Sequence, residues 1–387
     1  MRIGGSVKRL ITISKDPYIK VKSQISEFLS PSFVYLPIDE TAQLKIQKKK
    51  IMKNDALYKW NNKIYYSPIS GTIKSINKRY DAFLQPKLYM EIANDFQEND
   101  HYQGVKSTTM VISTDLHKKV KEYQGADFSS FKGKKRIIFN GMEDEPYLAN
   151  KPFIHRYHLD DLLIMLDTLA SVYKIPKIDI YLKETDRESI EIFDSRLGQY
   201  PNMELFILPD LYPLANDIVL TKFLKLTEED KIVSTDEIFT YYYEIIKERK
   251  KDFCFITVTG DAITFPQVIK VKIGTLFKEV NQSLIEFNTA NYTAFLNGIM
   301  KGKKINWENL IIDDSVRAIY FMKNKEEKVS DCIHCGKCNS VCPFGCNPYY
   351  HVISGGLHKS EKCIECGLCS FVCPSNIEIK NAKGEIK

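Results

Sequence analysis

The sequence predicts a multidomain α/β protein that ends in a small helical metal-binding domain. Three observations carry that expectation. Short β-rich runs broken by turns fill the first ninety-five residues, strand and helix periods alternate through the middle, and one cysteine spacing is repeated near the C-terminus. A chain of 387 residues is long enough to bury several separate cores.

The early runs are Phe33 to Leu36, closed by Pro37, then Lys63 to Tyr66, then Thr72 to Ile76. Ser67-Pro-Ile-Ser-Gly71 reads as a turn, with Gly71 expected to supply a positive φ. Strands this short and close together suggest a small barrel or sandwich. Beyond them, Lys134 to Asn140 reads as a strand. Leu159, Leu162, Leu163, Leu166, Leu169, Ala170 and Tyr173 then recur at three and four, as on one face of a helix. Ile178 to Leu182 is the next strand, and Asp186 to Leu197 a helix with Asp186 as N-cap and Gly198 just past its end. Met203 to Leu208 follows as a third strand. That alternation predicts a parallel sheet. From Asp252 the reading returns to strands at Phe253 to Thr259 and Gln267 to Ile273, with a short helix at Leu276 to Leu284. Asp313 to Lys323 is expected to be helical and to lead into the cysteine-rich segment.

Eight of the ten cysteines form two copies of C-x2-C-x2-C-x3-C-P. One is Cys332, Cys335, Cys338, Cys342 with Pro343; the other is Cys363, Cys366, Cys369, Cys373 with Pro374. This is the ligand spacing of bacterial two-cluster ferredoxins, in which the fourth thiolate of each run ligates the other cluster. Cys332, Cys335, Cys338 and Cys373 are therefore assigned to one [4Fe–4S] cluster, and Cys342, Cys363, Cys366 and Cys369 to the other. The proline after each fourth cysteine turns the chain away. Structural zinc uses paired C-x2-C units and has no use for the third and fourth cysteines or the repeated proline. Disulfides fit such dense spacing still less well. Cys254 and Cys346 are left over and read as small buried apolar side chains. The chemistry implied is one-electron transfer, with no acid, base or nucleophile nominated as catalytic.

Composition narrows the setting. Hydrophobic residues make up 44% and charged residues 27%, which is ordinary for a globular protein. The net charge is +6, densest at Lys45, Lys48, Lys49, Lys50, Lys53 and Lys59, a run that reads as a solvated face. No aromatic-interleaved or zinc-finger pattern accompanies it, so no nucleic-acid partner is expected. Met1 to Ser14 lacks the apolar core of a signal peptide. Leu162 to Tyr173, which contains Asp167, is too short to cross a bilayer. A cytoplasmic protein is expected, meeting a membrane only through partners, as a peripheral component on its cytoplasmic face.

In order along the chain, several stretches resemble the RnfC family, the peripheral iron–sulfur subunit of the membrane Rnf ferredoxin:NAD oxidoreductase. Ser67-Pro-Ile-Ser-Gly-Thr-Ile73 is similar to the turn of the family's barrel-sandwich domain. Asn140-Gly-Met-Glu-Asp-Glu-Pro-Tyr-Leu148 resembles its N-G-x-E-x-E-P-Y-L, and Tyr212-Pro213 its Y-P. Val258-Thr-Gly-Asp261 through Gly274 resembles an SLBB β-grasp module. Asn297-Gly-Ile-Met-Lys-Gly302 looks like a worn G-G-P-M-M-G, and Cys342-Pro-Phe-Gly-Cys-Asn-Pro348 matches within the cysteine block. The resemblance implies four parts: a barrel-sandwich hybrid domain at 1–95, a Rossmann-like α/β domain related to a flavin/NADH-binding domain at 96–250, an SLBB module at 251–310, and a helical two-cluster ferredoxin-like domain at 311–387.

One departure matters for function. The family's glycine-rich loop, G-x-G-G-A-G-F-P-T, has as its counterpart Glu122-Tyr-Gln-Gly-Ala-Asp-Phe-Ser-Ser130. Gly125, Ala126 and Phe128 remain, but Glu122, Gln124 and Asp127 replace glycines. Such loops bring bare amides against phosphate, and each added carboxylate near a phosphate costs roughly 1 kcal/mol or more. FMN and NADH binding is therefore expected to be lost or strongly weakened. Glu143, Asp144 and Glu145 leave two readings open, a remnant of that pocket or a solvated loop after a strand.

The leading expectation is an electron-transfer protein with two [4Fe–4S] clusters. It would relay single electrons between other redox subunits of an Rnf-type membrane complex or a soluble reductase, with ferredoxin or a flavoprotein among candidate partners. Two alternatives are a functional NADH-oxidising flavin/iron–sulfur protein of RnfC or cobalamin-reductase type, and a docking scaffold of a reductase complex.

Overall fold

Apolar residues alternating along short strands close two small sheets at the N-terminal end. The structure, a computed structural model, describes residues 10–12, 26–61, 63–97, 113–123, 127–324 and 329–379. An antiparallel sheet runs Phe33–Pro37, Pro86–Asn94, Gly71–Tyr80, Lys50–Ile51, and a second runs Gln43–Leu44, Ala56–Trp60, Lys63–Tyr66. Val34, Leu36, Ile51, Leu57, Tyr58, Met90 and Ile92 form their shared core. The glycine expected to turn at positive φ does something else. Gly71 opens a strand beside the Ala93 carbonyl, where an added Cβ would lie 2.0 Å from the oxygen. Close backbone approach selects glycine there.

The middle of the chain builds a parallel four-stranded sheet in the order Met203–Leu208, Lys177–Lys183, Arg136–Asn140, Asp230–Ser234. The helix Asn150–Tyr173 crosses from the strand Arg136–Asn140 to Lys177–Lys183, and Arg187–Leu197 makes the next crossover. The expected N-cap is present, with the Asp186 side chain accepting from the Ser189 amide and Gly198 at the C-cap. The leucine pattern begins at Leu159, immediately after His158, whose φ of −137° kinks the long helix. Leu162, Leu163, Leu166 and Leu169 are fully buried, each contributing about 1.5–3 kcal/mol. After Met203–Leu208 the chain returns to the far side of Arg136–Asn140, so strand order reverses at that strand. In open α/β sheets, ligands settle in the crevice at such a reversal.

The third sheet has six strands: Ser26–Phe28, Gln267–Lys272, Phe253–Thr259, Ala318–Lys323, Tyr292–Leu296, Lys303–Ile305. A short helix, Phe277–Leu284, packs against it. Here the helix expected over Asp313 to Lys323 is corrected to a strand at Ala318–Lys323. It pairs parallel with Phe253–Thr259 and antiparallel with Tyr292–Leu296. Ala318, Ile319, Tyr320 and Phe321 are all fully buried. A strand covered on both faces has a continuous apolar run and loses the alternation that marks a strand. Gly274, at φ +87°, seats its loop on Val34 and accepts from the Tyr35 amide at 2.8 Å, joining this sheet to the N-terminal one.

The cysteine segment follows, built around three short helices, Lys337–Ser340, Pro348–Ile353 and Leu368–Phe371. Among the described residues, no helix is long and apolar enough to cross a membrane.

Candidate metal centre

The doubled sequence spacing is also a doubled backbone. His334 and Glu365, two residues into each loop, both sit at left-handed φ of 55° and 54°. Gly336 and Gly367 follow at 70° and 78°, each heading a four-residue helix. These reversals curl the first three cysteines of each run around one concavity. The Asn339 amide reaches the Cys338 sulfur and the Ser370 amide the Cys369 sulfur, the same contact in both halves.

Two cavities result. One is lined by Cys332, Cys335, Cys338 and Cys373 with Ile333, Tyr349, Val352, Ile377 and Ile379. The other is lined by Cys342, Cys363, Cys366 and Cys369 together with Cys346, His351 and Leu368. The fourth cysteine of each run thus lines the cavity of the other run. The crossover is tied by the Ser330 amide donating to the Ser375 carbonyl at 3.1 Å and the Ser375 hydroxyl to the Asp331 carbonyl at 2.9 Å.

The donor set fits iron–sulfur cubes: at least four thiols per cavity, apolar walls, and amides aimed at sulfur. As free thiols, Cys338 and Cys366 are raised by burial, and Cys369 is pushed up to about 12. Buried thiols of this kind stay protonated until a cation replaces the proton.

Of the two leftover cysteines, Cys254 is the expected apolar filler, buried in the six-stranded sheet's core. Cys346 is not. It is half-buried, lines the second cavity, and its amide donates to Cys342 Sγ at 3.2 Å. Its place beyond Cys342, outside the repeated spacing, hid this, because the four corners were already filled.

The acidic stretch is not a solvated loop. Residues 140–145 leave the strand Arg136–Asn140 at the strand-order reversal, and Glu143 and Glu145 are buried. Glu143 accepts from the Lys151 amide at 2.6 Å, while Lys151 Nζ donates to the Asn140 and Met142 carbonyls at 3.1 and 2.7 Å. Asp144 pairs with Lys301 at 2.5 Å and Arg317 at 2.7 Å, which hold its carboxyl well below the usual range despite burial. Glu145 accepts from the Met300 and Lys301 amides at 3.1 and 3.0 Å. Burial pushes Glu143 and Glu145 each up to about 7.

Sequence reasoning missed how this stretch meets the cysteines. Gly298, at φ +145°, lies so close to Glu145 that an added Cβ would be 2.3 Å from its carboxylate. The same loop sets the Met300 carbonyl 2.1 Å from where a Cβ on Gly367 would stand. Tyr212 completes the junction, its hydroxyl donating to the Cys366 carbonyl at 2.6 Å, with Met300, Leu368 and Tyr212 packed together. The worn glycine motif at 297–302 was the one available signal. Of the altered glycine loop, Gln124, Gly125 and Ala126 lie outside the described residues. Asp127 accepts from Ser129, and Phe128 is buried in the α/β core.

A family of 4Fe-4S dicluster domains matches residues 322–374. The C component of the ion-translocating oxidoreductase complex of Buchnera aphidicola is 26% identical over 239 residues, covering 56% of this chain and 49% of that protein. The C component of the Na(+)-translocating ferredoxin:NAD(+) oxidoreductase complex of Acetobacterium woodii is 24% identical over 225 residues, covering 55% and 51%. The corresponding protein of the Haemophilus influenzae ion-translocating complex is 24% identical over 333 residues, covering 77% and 40%. The chain is RnfC-like. This RnfC-like chain spans about half the length of the curated relatives it matches. Among solved structures, an NAD+-reducing [NiFe]-hydrogenase in the air-oxidized state is 12% identical at a TM-score of 0.45, covering 61% of this chain and 50% of that one.

Proposed function

We propose that this RnfC-like chain is an electron-transfer subunit with two [4Fe–4S] clusters. Cys332, Cys335, Cys338 and Cys373 would hold one, and Cys342, Cys363, Cys366 and Cys369 the other. The observation that carries the reading is the crossed lining of the two cavities, since each contains three cysteines of one run and the fourth of the other. When bound, such clusters supply one-electron oxidation and reduction with little ligand movement. The chain's own part is to fix eight thiolates, turn amides toward sulfur and exclude water with Ile377, Ile379 and Leu368.

The partners on this reading are other redox subunits of an Rnf-type membrane complex or a related reductase. The chain would sit peripherally on the cytoplasmic side. The four-part division expected from the resemblance, barrel-sandwich, flavin/NADH-type, SLBB and ferredoxin-like, belongs to the same proposal.

The reading also includes loss of the chain's own flavin and NADH site. Support comes from the crevice at the strand-order reversal. There Lys151, Lys301 and Arg317 occupy the carbonyls and carboxylates of the acidic stretch from within the protein.

Anaerobic purification with iron, sulfide and flavin analysis tests both parts. About eight irons per chain are expected, from two four-iron cubes, with substoichiometric flavin. Zinc in place of iron would end the cluster reading. A full complement of flavin mononucleotide would end the lost-site reading alone.

A further inference from the structure

We propose that Cys346 is a reserve ligand of the second cavity, placed to take the cluster corner of Cys342. The inference rests on the two-cluster reading above.

The internal repeat supplies the argument. Aligning the halves on their fourth cysteines, Cys342 and Cys373, sets Gly345 opposite Asn376. Both are left-handed, at φ 64° and 55°. The Gly345 amide donates to the Cys342 carbonyl at 3.3 Å, and the Asn376 amide to the Cys373 carbonyl at 3.1 Å. The same turn therefore delivers the next residue to each cavity wall. In the first cavity that residue is Ile377, 6% exposed. In the second it is Cys346. An inert aliphatic side chain at one site is replaced by a thiol at the other, so five cysteines line the second cavity and four the first.

The distance is short as well. The Cys346 amide donates to Cys342 Sγ at 3.2 Å, so its side chain starts beside the sulfur it would replace. Nothing lies within 4 Å of where a Cβ on Gly345 would stand, which leaves the turn between the two cysteines room to shift. With Cys342 absent or unbound, the Cys346 thiol would release its proton to solvent and supply the fourth thiolate that Cys342 would otherwise give. No oxidant or reductant is consumed.

The test is iron and sulfide content, with spin resonance of the reduced protein, on anaerobically purified full chains. Wild type and Cys342→Ala should each hold about eight irons, and Cys342→Ala/Cys346→Ala about four. The first cavity gives the mirror experiment: Cys373→Ala should fall to about four, and adding Ile377→Cys should restore iron toward eight. Equal iron in folded Cys342→Ala and the double variant overturns the proposal. If Cys342→Ala does not fold, the mirror pair decides, and no gain from Ile377→Cys overturns it. Wild type without iron sinks the two-cluster reading instead, a result separable from the others.

Discussion

The Tyr212 hydroxyl donates to the Cys366 carbonyl at 2.6 Å, across more than one hundred and fifty residues of sequence, while Glu145 Oε1 lies 3.5 Å from the Tyr212 hydroxyl oxygen. One side chain thus joins the α/β sheet's crevice to the loop of the second cysteine cavity. Tyr212→Phe keeps the ring packing and removes the donor, leaving a part-buried carbonyl short of a partner. The expected cost is about 1–2 kcal/mol, read from urea unfolding. On the two-cluster reading, iron should also leave faster under chelator from the cavity of Cys366 than from that of Cys332.

Glu145 gives stability a pH dependence of definite sign. Burial, aided by Asp144, raises its pKa from 4.5 to about 7 against the pull of Lys301 and two amides. Between those values the folded chain binds a proton that the unfolded chain does not, so this group's contribution is full below 4.5 and declines as pH rises to about 7. The swing is on the order of 3 kcal/mol. Glu145→Gln should flatten the fall in urea midpoint between about pH 4.5 and 7. An unchanged slope would place the titration elsewhere, with Glu143 the next group to replace.

Asp144 acts in the opposite direction. Its carboxyl is held low by Arg317 and Lys301, so its stabilisation is present above 3.8 and is lost as pH falls toward its folded value. Asp144→Asn leaves those two cations facing each other without a counterion, and about 2–4 kcal/mol of destabilisation is expected. Arg317→Met in the same background should recover part of it. Additive losses in that double-mutant cycle would contradict a direct pairing.

The pseudo-equivalent glycines Gly336 and Gly367 predict an asymmetry. Both have positive φ, so alanine at either incurs backbone strain of about 1–2 kcal/mol. At Gly336 nothing lies within 4 Å of the new Cβ, whereas at Gly367 it would meet the Met300 carbonyl at 2.1 Å. On the two-cluster reading, Gly336→Ala should keep its iron with a small drop in melting temperature. Gly367→Ala should lose iron from one cavity and melt lower by several degrees more, because the cysteine loop must move off the 298–301 loop.

Much of the chain could be read from residue order. The strands Phe253–Thr259 and Met203–Leu208 and the Asp186 cap follow from local pattern, since short apolar runs and a side-chain cap act over a few residues. The readings that failed depended on neighbours. Ala318–Lys323 looks helical until strands pair with both its edges and separate apolar clusters cover its two faces. Gly71 looks like a turn until Ala93 approaches it. Cys346 looks like filler until the turn after Cys342 carries it to a cavity wall.

Cysteine order alone carries the proposed kind of centre and the proposed pairing of its ligands, because three thiols two residues apart suit one site and a fourth, beyond the loop, suits another. Only the folded chain decided what surrounds that centre. Whether the acids at 143–145 meet solvent, and whether they touch the cysteine loops, depends on Tyr212, Met300, Lys301 and Arg317, drawn from segments far apart in sequence. Burial and ion pairing are properties of such assembled neighbours, and no spacing along the chain encodes them.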